Sequence, residues 1–262
     1  DVLLAQTCTS VFGLIGFSGQ PGRESEQLAY TNFLLSHYGD DWWCLSQHAF
    51  ALCETGQLDK ASQMIDQSLA LYPRSAHSAH VRSHIHYEVG ETRVGIDYLK
   101  DWMPSYHHSG LLHSHLSWHA ALWAMEVGDI DLMWQLVDAD VAPGGAEGRP
   151  INVLTDTASI LYRAELAGID VAAQRWQQVS EYAVKFFPKP GLNFADIHAA
   201  LAHAMVGNSE ALETIIANPA GPAAEAAAIL LSPEPTAAAA ATTAGARALL
   251  GEIDLDVAAI QR

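Results

Sequence analysis

The sequence is short of several things, and each shortage excludes a class of protein. It has three cysteines in 262 residues, Cys8, Cys44 and Cys53. The count is odd and no CxxC pair occurs, which fits a reducing compartment better than a disulfide scaffold. Lysine and arginine together number 13 against 30 acids, giving a formal net charge of −17. Such a surface repels a phosphate backbone and an anionic bilayer, so neither nucleic acid nor membrane is the expected partner. Long hydrophobic runs are missing too. The apolar stretch from Val2 to Phe17 is broken by Gln6, Thr7, Thr9 and Ser10. It is too short and too polar to span a bilayer, and it lacks the basic start of a signal peptide. A reducing, cytoplasmic setting is therefore expected. The first residue is Asp1 rather than methionine, which points to a processed chain or a piece of a longer one. Strand signals are almost absent, with no sustained alternation of valine, isoleucine and threonine. No GxSxG elbow occurs. The glycines at Gly144, Gly145 and Gly148 follow Pro143, not a strand, so they form no dinucleotide fingerprint.

What the chain does have is a repeat. Helix-forming segments run into Glu54-Thr55-Gly56, Glu88-Val89-Gly90 and Glu126-Val127-Gly128, each followed by a polar residue, and fainter copies end at Gly168 and Gly207. These glycines recur at a nearly regular interval, and Gly19 marks an earlier copy. A period of roughly 35–40 residues suits a helix–turn–helix unit in which glycine ends the first helix in the left-handed conformation. In the clearest copy, Trp43, Leu45, Ala49 and Leu52 pattern one helix and Leu58, Ala61, Ile65 and Leu69 the next, with Pro73 stopping it. The expected fold is all-α: a right-handed superhelix of about six tetratricopeptide-like hairpins, an α-solenoid over residues 1–219. Residues 220–262 are alanine-rich and broken by prolines, and read as capping helices or a tail.

The repeat register gives the histidines a direction. His77, His80, His84 and Glu88 lie at offsets −13, −10, −6 and −2 from Gly90. On a helix they share an arc of roughly 80°. His115, His119 and Glu126 lie at −13, −9 and −2 from Gly128, and His198 at −9 from Gly207. First helices of such repeats line the concave surface, so these stripes are expected to meet, His84 beside His119, with Trp118 flooring a pocket. Asp156 and Arg163, seven residues apart on one helix face, could orient a histidine or bind a polar ligand group. His86 and His203 fall off the stripe. The other tryptophans at helical spacing, and Cys44 and Cys53, read as packing residues.

Ala79–Gly90 (AHVRSHIHYEVG), His115–Leu122 (HLSWHAAL), Asp156–Arg163 (DTASILYR), Arg175-Trp176 and Phe194–His198 (FADIH) resemble, in order, the tetratricopeptide repeat protein 38 family. The resemblance implies the repeat fold over roughly residues 40–205 and supplies no reaction. The family's glutamate three residues after the second histidine is Tyr87 here, with Glu88 one position later.

Two functional classes emerge from these residues. The first is a binding module that takes a small molecule or peptide in a His/Glu/Trp-lined groove built from His80, His84, Glu88, His115, Trp118, His119, Asp156, Arg163 and His198. A groove short of lysine and arginine does not suit a carboxylate clamp. The second is a metal-dependent or His/Asp-assisted enzyme, a hydrolase for example, using the same cluster. Histidines four apart on a helix can share a divalent ion such as zinc, with His84, His115 and His119 as the candidate ligands. No nucleophile accompanies them, since Ser83 and Ser117 sit beside histidines and so face elsewhere on the helix.

Overall fold

The computed structural model describes residues 2–10, 13–18 and 20–218. These residues form twelve α-helices and no strand. The expected alanine-rich terminal segment and the glycine expected to mark the earliest repeat, Gly19, lie outside them. None of the described helices is long and apolar enough to cross a membrane. The chain divides into two compact units, Asp1–Tyr106 and His107 onward.

The first unit contains α1 (Val2–Cys8), α2 (Arg23–Tyr38), α3 (Trp42–Glu54), α4 (Leu58–Leu71), α5 (Ala76–Glu88) and α6 (Thr92–Trp102). The second contains α7 (His113–Glu126), α8 (Ile130–Leu136), α9 (Pro150–Leu166), α10 (Ala173–Phe186), α11 (Asn193–Met205) and α12 (Ser209–Ile216). From α3 on, the helices pair into five hairpins around Gly56, Gly90, Gly128, Gly168 and Gly207. All five glycines have φ between 69° and 80°. At each, the glycine N–H bonds the carbonyl three residues back, and the next residue's N–H bonds the carbonyl five back. At Gly128 these are Gly128 to Met125 at 3.0 Å and Asp129 to Ala124 at 2.8 Å. This is the Schellman motif, which satisfies carbonyls that a helix end otherwise leaves bare. In four of the five the residue after glycine is also the N-cap of the next helix, and Asp129 and Asn208 use their side chains to accept the cap hydrogen bond.

Within each unit, the first helix of a hairpin packs on its own partner and on the first helix of the next hairpin. In the first unit α3 touches α4 and α5; in the second α9 touches α7, α10 and α11. Small residues permit this. Ala49 and Ala61, on the facing helices of the clearest repeat, are completely buried and share a core with Phe50, Leu52, Ile65, Val81 and Ile85. Ala121, Ala124, Ala158, Ala164 and Ala200 have the same role in the second unit. Cys44 and Cys53 are thiols buried as packing residues. Trp123 and Trp176 are buried, and Trp176 donates its Nε1–H to Glu165 Oε1 at 2.7 Å.

Two departures from a plain hairpin array bear on function. The first helix α5 is unusually polar: six of its thirteen residues are histidine or serine. Ser75 caps it, accepting from the Ser78 N–H, while the Ser78 hydroxyl shares hydrogen bonds with Ser75 and with Ser68 of α4. The second departure is that α8 runs into a π-turn, Val137–Val141, closed by a hydrogen bond from the Ala142 N–H to the Val137 carbonyl at 2.8 Å. Thr157 of α9 fastens the end of that turn by donating to the Val141 carbonyl.

Candidate functional site

The sequence-predicted residues fall into two groups, one in each unit. In the first, His80 and His84 sit one turn apart on α5 with their Nε2 atoms 2.8 Å apart. That is hydrogen-bond distance, with the donor and acceptor set by the tautomers of the two rings. Phe50 of α3 backs the pair, stacked on His80 with centroids 6.2 Å apart and edge-on to His84 at 5.5 Å. One turn earlier, His77 packs against the same phenyl ring. Its Nε2 is buried with no hydrogen-bond partner among the described residues, and burial pushes its pKa down to about 4. Glu88 closes the helix on the same stripe but is exposed, and no ion pair or hydrogen bond among the described residues involves its carboxylate. Its neighbourhood is solvent rather than imidazole.

In the second unit the residues draw closer. Asp156 projects from α9 toward α7, where its Oδ2 lies 2.9 Å from His115 Nδ1. Asp156 is buried and His115 half-buried. His119 comes one turn later, its ring centroid 4.9 Å from that of His115. Trp118 stacks almost parallel to His115, at 5.2 Å and 16°. Arg163, two turns beyond Asp156, is buried, donates to the Ser159 hydroxyl and holds its guanidinium 5.7 Å from the Trp118 ring. Asp156, Arg163, His115, Trp118 and His119 thus belong to one arrangement on two packed helices. His198, on α11, donates its Nδ1–H to the Phe194 carbonyl at 2.7 Å and meets the Phe194 ring edge-on.

The chemistry of the α7–α9 group rests on the His115–Asp156 bond. A buried carboxylate accepting from Nδ1–H fixes the imidazole in the tautomer whose lone pair is on Nε2 and makes that nitrogen more basic. Such a nitrogen is suited to binding a metal or taking up a proton. The two histidines read as lying off the stripe, His86 and His203, have structural partners. His86 Nδ1 lies 2.9 Å from Glu91 Oε2, across its own hairpin turn. His203 Nδ1 meets the Ser180 hydroxyl at 2.8 Å between α10 and α11, and burial pushes its pKa down to about 4.

A cleft of about 510 Å³ opens in the first unit among α2, α3 and α4, lined in part by Asn32, His48, Gln57, Lys60, Gln63 and Gln67. None of the sequence-predicted site residues lines it. Sequence reasoning also missed a second titratable cluster, His108, His113 and Asp140, in the second unit. The histidines themselves are visible in the segment His107-His108-Ser109-Gly110-Leu111-Leu112-His113, but Asp140 lies beyond the whole of α7 and α8. The Gly128 turn sends α8 back along α7, and the π-turn at its end carries Asp140 against α7.

The described residues are thus all-helical, in glycine-ended hairpins, with imidazole pairs on the first helices α5 and α7. No family model matches the chain, and no solved structure matches it.

Proposed function

We propose that this protein is a tetratricopeptide-type α-solenoid whose histidine-bearing first helices bind a divalent metal ion, zinc being the first candidate. The ion would in turn be the docking point for a small-molecule or peptide ligand. The repeat reading is supported by the common glycine turn and by first helices that pack on one another within each unit. It also agrees with the resemblance to the tetratricopeptide repeat protein 38 family.

The observation that carries the metal reading is the 2.9 Å bond between His115 Nδ1 and buried Asp156, with His119 one turn on. A carboxylate behind a histidine is the usual support of a metal ligand, and its loss typically costs about 10–100-fold in affinity. Two imidazoles at i and i+4 chelate one ion, and the remaining positions are left to donors beyond the helix. Trp118 and Arg163 beside the pair suit a ligand with an aromatic or anionic portion.

The test is metal content. After loading with zinc and dialysis, the protein is expected to lose one equivalent of bound ion in the His115→Ala/His119→Ala variant relative to the parent, and to bind that equivalent about 10–100-fold more weakly in Asp156→Asn. A chain that emerges metal-free, or a double variant that binds as the parent does, refutes the assignment. The same Asp156–His115 pair favours a second reading, a His/Asp-assisted hydrolase in which His115 moves a proton. In that case Asp156→Asn would abolish turnover of a hydrolysable substrate in protein stripped of metal.

A further inference from the structure

We infer that the second unit holds another divalent-metal site, independent of His115 and His119, formed by His108, His113 and Asp140. One donor atom from each lies within 4.8 Å of the other two. Zinc bonds of about 2.0–2.2 Å set tetrahedral donors roughly 3.3 Å apart, so side-chain rotations alone can close the set around one ion. The tightest pair is already there: His108 Nε2 and Asp140 Oδ1 are 3.1 Å apart. His113, the first residue of α7, presents its ring 4.7 Å from that of His108.

The surroundings resemble those of a built site. Glu147 Oε1 lies 3.5 Å from His108 Nδ1, on the side of the ring away from Asp140. A carboxylate there directs the Nε2 lone pair toward the other donors. The second oxygen of Asp140 accepts a long hydrogen bond from the Ser117 hydroxyl at 3.4 Å. Asp140 lies within the π-turn, a rare conformation frequently found at functional sites. Glu147 is brought in by a close approach of its loop to α7. A Cβ built at the neighbouring Gly148 would collide with Ser114 Oγ, so a side chain there would require Ser114 to shift.

Two imidazoles and one carboxylate select a first-row divalent ion over calcium or magnesium. Three protein donors leave a position of a tetrahedral shell to water or to an anionic ligand atom.

The experiment is a titration with Co²⁺, whose visible absorption reports four-coordinate N/O binding. In the otherwise unaltered chain, Asp140→Asn is expected to lower uptake by one equivalent. In a His80→Ala/His84→Ala/His115→Ala/His119→Ala background, one equivalent should remain, and His113→Ala should weaken it more than tenfold. Glu147→Gln should weaken it about tenfold, the lower end expected for a supporting carboxylate. His107→Ala should leave it unchanged. The inference is overturned if the unaltered chain and Asp140→Asn take up cobalt identically. It is equally overturned if the four-histidine variant, with its far-UV circular dichroism intact, binds none. A His115→Ala/His119→Ala variant that binds as much cobalt as the parent, with Asp140→Asn still one equivalent lower, would refute the previous proposal and leave this one standing.

Discussion

Replacing Gly128 by alanine separates two reasons for a glycine. At φ 80° the residue is left-handed, and a Cβ added there meets no atom within 4 Å. The cost is therefore purely conformational. A side chain in left-handed backbone costs about 1–2 kcal/mol. Stiffening the unfolded chain offsets about 0.4–1 kcal/mol of that, so the net loss should be about 1 kcal/mol. For a chain of this size that lowers the thermal midpoint by about 2–4 °C, readable by circular dichroism. Asparagine tolerates the left-handed region better than alanine, so Gly128→Asn should fall between the two. The other four turn glycines have equally empty surroundings and should give the same order. An alanine variant as stable as the parent, or one losing more than about 3 kcal/mol, well above the backbone cost, would refute the reasoning.

Gly148 should behave differently. Alanine there collides with Ser114, so Gly148→Ala should be rescued in part by Ser114→Gly, and a double-mutant cycle should report coupling of about 0.5–3 kcal/mol. The imidazoles of His77 and His203 are held by burial down to about 4. Being depressed below the unfolded value, near 6.5, they contribute stability that is complete above about 6.5 and lost as pH falls toward about 4. Thermal midpoints should therefore drop across that window, and His203→Gln should flatten the drop; a midpoint that does not move would refute it. Asp196, which burial shifts upward, acts in the opposite sense at lower pH. At the α7–α9 group, Asp156→Asn should change the nitrogen NMR shifts of His115 toward mixed tautomers, whereas Arg163→Gln should leave them alone.

Much of this fold could be read from the chain, because a left-handed glycine is a local demand. Gly56, Gly90, Gly128, Gly168 and Gly207 announce themselves by spacing, and the helices between them come from apolar period and small residues such as Ala49 and Ala61. The stripe on α7 was legible for the same reason, since i and i+4 fix a face. What spacing does not carry is the depth of a side chain. Glu88 shares the stripe of His84 yet ends its helix in solvent, although Ile85 and His86 in the same turn are buried. Nor does spacing show which residues a loop returns. Asp156 reaches His115 across 41 positions and Asp140 reaches His108 across 32, distances over which only the packing of α9 and the π-turn supplies a signal.

A π-turn spends one residue more on each hydrogen-bonded ring than an α-turn does. Between Val137 and Val141, then, the heading of the Asp140 carboxylate is governed by how many residues the segment contains. Removing one would close an ordinary helix and swing the chain beyond it by about 100°. The feature resembles an inserted residue that was kept, and its signature among relatives would be a gap in alignment rather than a change of letter.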